Sequence, residues 1–164
     1  MAWELEFFRD ADGREPVVTW LDNLDAVKRE AAKRGLSIVL ASQGPAVVGT
    51  EYGKNLGDGL FEFRLRIDAQ VILQKHAPHL LAKYPDPPHG EVLLQVYFHP
   101  HGDKLILLLG GYDKGRDPSD KAEQKQIKQA RKRLKQWKGN QAGRGSRFRT
   151  WWVRQVRGKP GDRA

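Results

Sequence analysis

The chain contains no cysteine in 164 residues. That excludes a disulfide framework and thiolate metal sites, and makes a reducing compartment the natural setting. Long apolar runs are missing too. No window approaches the ~20 apolar residues that a membrane span requires. The N-terminal MAWELEFFRD mixes acidic residues with short apolar runs where a signal peptide would carry a basic stretch and then an apolar one. A soluble, cytoplasmic protein without a membrane partner is expected. The histidines are few and poorly placed for chemistry. His76 and His79, and His99 and His101 around Pro100, come with neither cysteines nor a well-placed carboxylate set. They carry no metal site by their spacing, and no histidine has a defined partner for acid–base work. Ser37, Ser42, Ser119 and Ser146 stand in no nucleophile-elbow context. No metal and no cofactor is expected.

Charge, by contrast, is abundant and uneven. Residues 1–113 carry 12 Lys and Arg against 16 Asp and Glu, a net of −4, whereas residues 114–164 carry 17 against 4, a net of +13. A basic third joined to a mildly acidic body is the electrostatic footprint of a protein that meets a polyanion. An anionic membrane suits it less well, because the basic segment has no broad apolar face rich in Phe and Trp.

The hydrophobic pattern predicts an α+β fold. Trp3 to Phe8 has strand composition, and Asp12-Gly13 marks a turn. Pro16 opens a helix whose Val17, Trp20, Leu21, Leu24 and Val27 recur at helical spacing, as one helix or as two broken near Asn23. Gly35 reads as its stop after Lys33 and Arg34, with Leu36 to Leu40 as one further turn. Residues 42–59 hold six glycines or prolines and read as a long loop. Leu60 to Ile67 alternates as a half-buried strand, placing Glu62, Arg64 and Arg66 together on the face away from Phe61, Phe63 and Leu65. Val92 to His99 and Lys104 to Leu109 form a hairpin about Pro100-His101-Gly102-Asp103. Between these strands, 68–91 reads as an insertion, with a short strand extension at Val71 to Leu73 and otherwise a surface excursion. Asp117 to Trp137 is the last helix, capped by Ser119 or Asp120, with Ile127, Ala130, Leu134 and Trp137 on its apolar stripe. Lys121, Lys125, Lys128, Lys132 and Lys135 line its other side. Residues 139–164 read as a basic tail with only local order, in which Arg144, Arg147, Arg149, Arg154, Arg157 and Lys159 surround Phe148, Trp151 and Trp152. Basic residues interleaved with aromatics bind RNA through phosphate contacts and stacking; a terminus whose tryptophans pack on the domain has the same composition.

Two segments carry the chemistry. In a small antiparallel sheet, the strand Gly59-Leu60-Phe61-Glu62-Phe63-Arg64-Leu65-Arg66 can bring Arg64 and Arg66 near the Gly110-Gly111-Tyr112-Asp113-Lys114 strand end. A set of fixed cations without acidic ligands suits a phosphodiester. Arg gives planar bidentate contacts to phosphate oxygens, and Lys acts as a point charge or proton carrier.

Taken in order, the Trp20-Leu21-Asp22-Asn23-Leu24 helix, the GLFEFRLR strand, the VYF…LILLLGGYDKG hairpin and the basic helix with Gln126-Ile127 and Ala130-Arg131 resemble the RelE/ParE superfamily of toxins. Within it they are most similar to the HigB-like, phage-derived addiction-module killer proteins. The resemblance covers about residues 3–138, which defines a toxin domain over 1–138 (with the insertion at 68–91) and leaves 139–164 as the tail. It implies a small, mostly antiparallel sheet with N-terminal helices and a C-terminal basic helix. It also implies a metal-independent endoribonuclease, the toxin of a type II toxin–antitoxin system, that cleaves mRNA on the ribosome by attack of the RNA's own 2′-OH. The implied partners are mRNA, the ribosome and a helix-turn-helix antitoxin. Carried over by position, Arg64, Arg66 and Lys114 are the implied catalytic residues, with Lys114 stabilising the pentavalent phosphate or protonating the leaving oxygen. Lys54, Gln95, Arg116, Lys125, Lys128 and Arg131 are the RNA-binding candidates. Leu94-Gln95 departs from the aromatic-Arg pair usual in the family's second strand, so that either Lys54, Arg116 or a tail residue replaces the missing cation or cleavage is impaired. Two other functions suit the same fold: a non-catalytic RNA- or ribosome-binding protein, and a ParE-like inhibitor of a protein target.

Overall fold

The computed structural model describes residues 2–140 and 145–157. Five strands, β1 (Glu4–Phe7), β2 (Gly53–Gly57), β3 (Leu60–Asp68), β4 (Glu91–His101) and β5 (Leu105–Asp113), form one sheet in the order β1-β5-β4-β3-β2. Only β1 and β5 run parallel; every other pairing is antiparallel. The class is α+β, as the alternating strands and periodic helices predict.

The sheet is covered on both faces because the period-2 alternation of β3, β4 and β5 sends apolar side chains both ways. One face carries Phe63, Leu94, Val96, Phe98, Ile106 and Leu108. It is covered by α1 (Pro16–Asn23) and α2 (Ala26–Arg34), which contribute Val17, Leu21, Val27 and Ala31. The other face carries Leu60, Tyr97, Leu107, Leu109 and Tyr112, against which α3 (Asp120–Asn140) lays Ala130 and Leu134. A bulge sets Tyr97 opposite Gly110 and Phe98 opposite Leu108, which leaves Leu109 as the extra residue of β5. Gly111 lies under the indole of Trp20: a Cβ there would stand 2.2 Å from the ring.

The first helix is indeed two. Asp25 caps α2 by accepting from Lys28 N at 2.9 Å, and Arg29 closes α1 by donating to the carbonyls of Leu21, Asp22 and Leu24. At the other end of the chain, Ser119 Oγ accepts from Ala122 N at 3.2 Å to cap α3.

Four expectations are corrected. Gly35 is no stop: its backbone is right-handed helical, and the helix continues through a π-type turn, Gly35–Leu40. Glycine is there for closeness, since a Cβ would sit 3.2 Å from Leu65 and Phe63 on β3. The loop expected over 42–59 contains β2, an edge strand paired with β3. Its Gly53 presses on the Val47 backbone, 2.6 Å from where a Cβ would be. Val71 to Leu73 is helical, not extended, and the 68–91 insertion is not only a surface excursion, because Ile72, Leu73, Ala77 and Leu80 are buried in the core. Lastly, the described part of the segment read as a loosely ordered tail packs as a unit. Residues 145–147 run along β1, and α4 (Phe148–Arg157) buries Phe148 and Trp151 against Phe7. The indole of Trp151 donates to Asp22 Oδ1 at 3.0 Å. Arg147 pairs with Glu4 at 3.0 Å. Arg144 and Lys159 lie outside the described residues.

Among the described residues, no helix is long and apolar enough to cross a membrane.

Candidate nucleic-acid interface

The polar half of the alternating pattern builds one groove. On the face that α3 covers only in part, β3 presents Glu62, Arg64 and Arg66, β4 presents Gln95, and the turn after β5 presents Lys114. The register places Arg64 opposite Gln95, Gln95 opposite Tyr112, and Lys54 of β2 opposite Glu62. These side chains, with Glu51, Leu93 and Glu123, line a groove of about 570 Å³.

The turn that carries Lys114 is anchored from three sides. Asp113 receives the Lys28 ammonium of α2 at 2.6 Å and the Arg116 backbone N–H at 3.2 Å. Gly115 N donates to Leu93 O at 3.3 Å. The Tyr112 hydroxyl donates to the Asp117 carbonyl, fixing the run from β5 into α3. Lys114 is thus held by the scaffold through its backbone, while its side chain reaches the groove.

The groove is not a set of cations without acidic ligands, and that expectation is corrected. Glu62, 2% exposed, holds Arg64 with Oε2 2.6 Å from Nε. Glu123 of α3 holds Lys114, Oε2 to Nζ, at 3.0 Å. Arg66 is largely exposed, 4.0 Å from Glu91. Four cations (Lys54, Arg64, Arg66, Lys114) therefore face three carboxylates (Glu51, Glu62, Glu123). Buried Tyr97 donates to Gln95 Oε1 at 2.9 Å. Burial pushes the Tyr97 phenol well above its ordinary pKa, and the Glu62 charge adds to this, so the hydroxyl stays neutral and remains a donor. Burial likewise raises Tyr112, helped by Asp117 and Glu123.

The structure thus gathers Arg64, Arg66, Lys114, Lys54 and Gln95 on one surface. It does not bring the other four candidates there. Arg116 lines a shallow depression beside Trp20 and Gln126. Arg131 is engaged in donating to the carbonyls of Leu56 and Gly57, which fastens α3 to the β2–β3 turn. Lys125 and Lys128 project from the exposed side of α3. Of the cations proposed to replace the one missing at Gln95, Lys54 is in the groove and Arg116 is not.

Glu62 and Glu123 escaped the sequence reading as functional residues. Strand alternation already put Glu62 beside Arg64, but nothing local announces that its carboxylate is buried and paired. Glu123 is one of two acids, with Asp120, on a lysine-rich helix. Its approach to Lys114 depends on where α3 docks.

No family model, no curated protein and no solved structure matches the chain.

Proposed function

We propose that this protein is an endoribonuclease that cleaves single-stranded mRNA, a toxin of the RelE/HigB type restrained by a cognate antitoxin in the cytoplasm and acting on the ribosome. The observation that carries the reading is the groove itself. Arg64, Arg66, Lys54 and Lys114 converge there with three carboxylates and with a neutral Tyr97–Gln95 pair behind them. Phosphoryl transfer needs positive charge around the phosphate, a proton acceptor for the nucleophile and a proton donor for the leaving group.

In the proposed reaction, the 2′-oxygen attacks the adjacent phosphorus, the P–O5′ bond breaks, and a 2′,3′-cyclic phosphate and a 5′-hydroxyl result. In-line displacement puts acceptor and donor on opposite sides of the phosphorus. Glu123 and Lys114 touch each other at 3.0 Å, so they do not divide the two roles between them. Glu62 accepts the 2′-OH proton, and the Lys114 ammonium supplies the proton to O5′. Arg64, oriented by Glu62, and Arg66 hold the non-bridging oxygens; an Arg fork is suited to that. Gln95, its carbonyl occupied by Tyr97, offers its amide N–H groups to the RNA.

One observation favours a second reading, a non-catalytic RNA-binding or ribosome-binding protein. Arg64 and Lys114 already spend charge on Glu62 and Glu123, and Gln95 supplies none. Mass spectrometry of message fragments from a programmed cell-free translation reaction separates the two. New 3′ ends bearing 2′,3′-cyclic phosphate are expected. Intact message at protein levels that arrest translation would assign the second reading.

A further inference from the structure

A second cleft of about 570 Å³ lies on the other flank of α3, between its C-terminal half and the turn joining β1 to α1. Arg9, Arg14, Lys132 and Arg133 supply its charge, and Gln136 and Trp137 complete the wall. Two acids are present, but Asp10 is occupied: its Oδ1 accepts from the backbone N–H groups of Asp12 and Arg14, both at 2.9 Å, and so builds the turn. Among the described residues, only Arg9 of the four cations is ion-paired, to Glu15 at 3.5 Å. Arg133 donates through Nη1 to Leu109 O at 2.9 Å. Burial lowers its pKa from the ordinary value, with nearby Asp10 only partly opposing this. A partly desolvated guanidinium without a paired carboxylate gains when an anion arrives.

The two clefts are joined by charge. Lys121, Lys125, Lys128, Lys132 and Lys135 follow one another at steps of four, three, four and three residues, forming one exposed row along α3. Among the described residues none of the five is ion-paired, and like charges at this spacing weaken an isolated helix. The last turns of the row reach the second cleft at Lys132. From Glu123 in the groove to Arg133 in the cleft is ten residues of helix, about 15 Å, the length of about four stacked nucleotides.

We propose that this cleft is a second seat for single-stranded RNA, holding a phosphodiester among Arg14, Lys132 and Arg133 and a base against Trp137, with the strand reaching it from the groove along the lysine row. The inference rests on the reading of the groove as an RNA site and adds the direction in which the bound strand leaves it. An evenly charged polymer suits the row, and an aromatic ring beside guanidinium and amide groups suits a nucleobase better than a carboxylate-rich peptide.

The test is fluorescence anisotropy of the full chain with labelled 2′-O-methyl RNA, which lacks the nucleophile and stays intact. The probes are a trinucleotide, which fills the groove alone, and a 12-mer, which reaches the cleft. Arg14 and Lys132 are both exposed, so the Arg14→Ala/Lys132→Ala variant spares the core. We expect it to weaken 12-mer binding by about tenfold and to make the log K against log salt slope shallower by about 1.4, two phosphate contacts' worth. The trinucleotide affinity stays unchanged. Trp137→Leu, with the fold checked by circular dichroism, should cost the 12-mer a further loss on the order of tenfold. Unchanged 12-mer affinity and slope in the double variant, while Arg64→Ala/Lys114→Ala abolishes trinucleotide binding, would overturn the second seat and leave the groove standing. Loss of binding to a poly-glutamate peptide without loss for the 12-mer would assign the cleft to an acidic polypeptide instead and overturn it too. Wild type that binds neither oligonucleotide would overturn both readings.

Discussion

Replacing Trp151 by alanine asks whether the C-terminal segment belongs to the folded body. The indole is 1% exposed, packs edge-on against Phe7 with centroids 6.4 Å apart, and lies 5.5 Å from the Phe148 ring. It also donates to Asp22 on α1. Removing a buried Trp side chain costs about 3–5 kcal/mol in transfer and cavity terms. The lost hydrogen bond adds on the order of 1 kcal/mol, at the low end because the half-buried Asp22 regains water. A total of about 5 kcal/mol corresponds to a fall in Tm of about 10–20 °C at this chain length. Trp151→Phe keeps most of the apolar contact and should lose only about 1–2 kcal/mol. Urea denaturation followed by circular dichroism gives both numbers, with m unchanged if only stability moves. A loss below about 0.5 kcal/mol for Trp151→Ala, the scale of a surface substitution, would refute the docking of α4.

Three further outcomes follow from the packing and the charges. Gly111→Ala drives a methyl into the Trp20 ring and should destabilise by about 1–3 kcal/mol in the same denaturation assay. His99 is held by burial below its ordinary pKa of 6.5, with its Nδ1 2.6 Å from Gly59 O. As pH falls through 6.5 the unfolded chain takes up the proton first, so stability is full above that pH and declines below it. His99→Gln should flatten this decline between pH 7.5 and 5.5, read from urea midpoints at each pH. Glu62→Gln removes the proposed proton acceptor while keeping a hydrogen-bonding group beside Arg64. Its cleavage rate should fall by about 10²–10⁴ with RNA affinity nearly unchanged; equal rates would remove Glu62 from the reaction.

Much of the scaffold was legible because its signals are local. The alternation of Leu60 to Ile67, the hairpin about Gly102 and the apolar stripe of α3 each fix an element within a dozen residues. The misreadings share a cause: a distant partner decided the outcome. Gly35 and Gly53 look like breakers, yet each is a contact point, one against Leu65 and Phe63 and the other against Val47. Ile72 and Leu73 carry no period that distinguishes helix from strand, and burial against the body of the fold settled it. Trp151 became a core residue only because Phe7 and Asp22 meet it more than 120 positions away in sequence. The site divides the same way. Strand alternation put Arg64 and Arg66 on one face, but the pairing of Lys114 with Glu123 follows from the docking of α3. Arg131 has the composition of an RNA contact, but its guanidinium holds the β2–β3 turn.

The central claim is that the groove around Arg64 and Lys114 cuts message. Primer extension on a defined mRNA in a cell-free translation reaction tests it most directly, comparing wild type, Lys114→Ala and, as a control, Lys83→Ala, an exposed lysine that does not line the groove. The account predicts new, codon-phased 5′ ends with wild type and Lys83→Ala, and their loss by at least two orders of magnitude with Lys114→Ala at unchanged stability. Cleavage by Lys114→Ala at the wild-type rate, or no cleavage by any of the three, would contradict it.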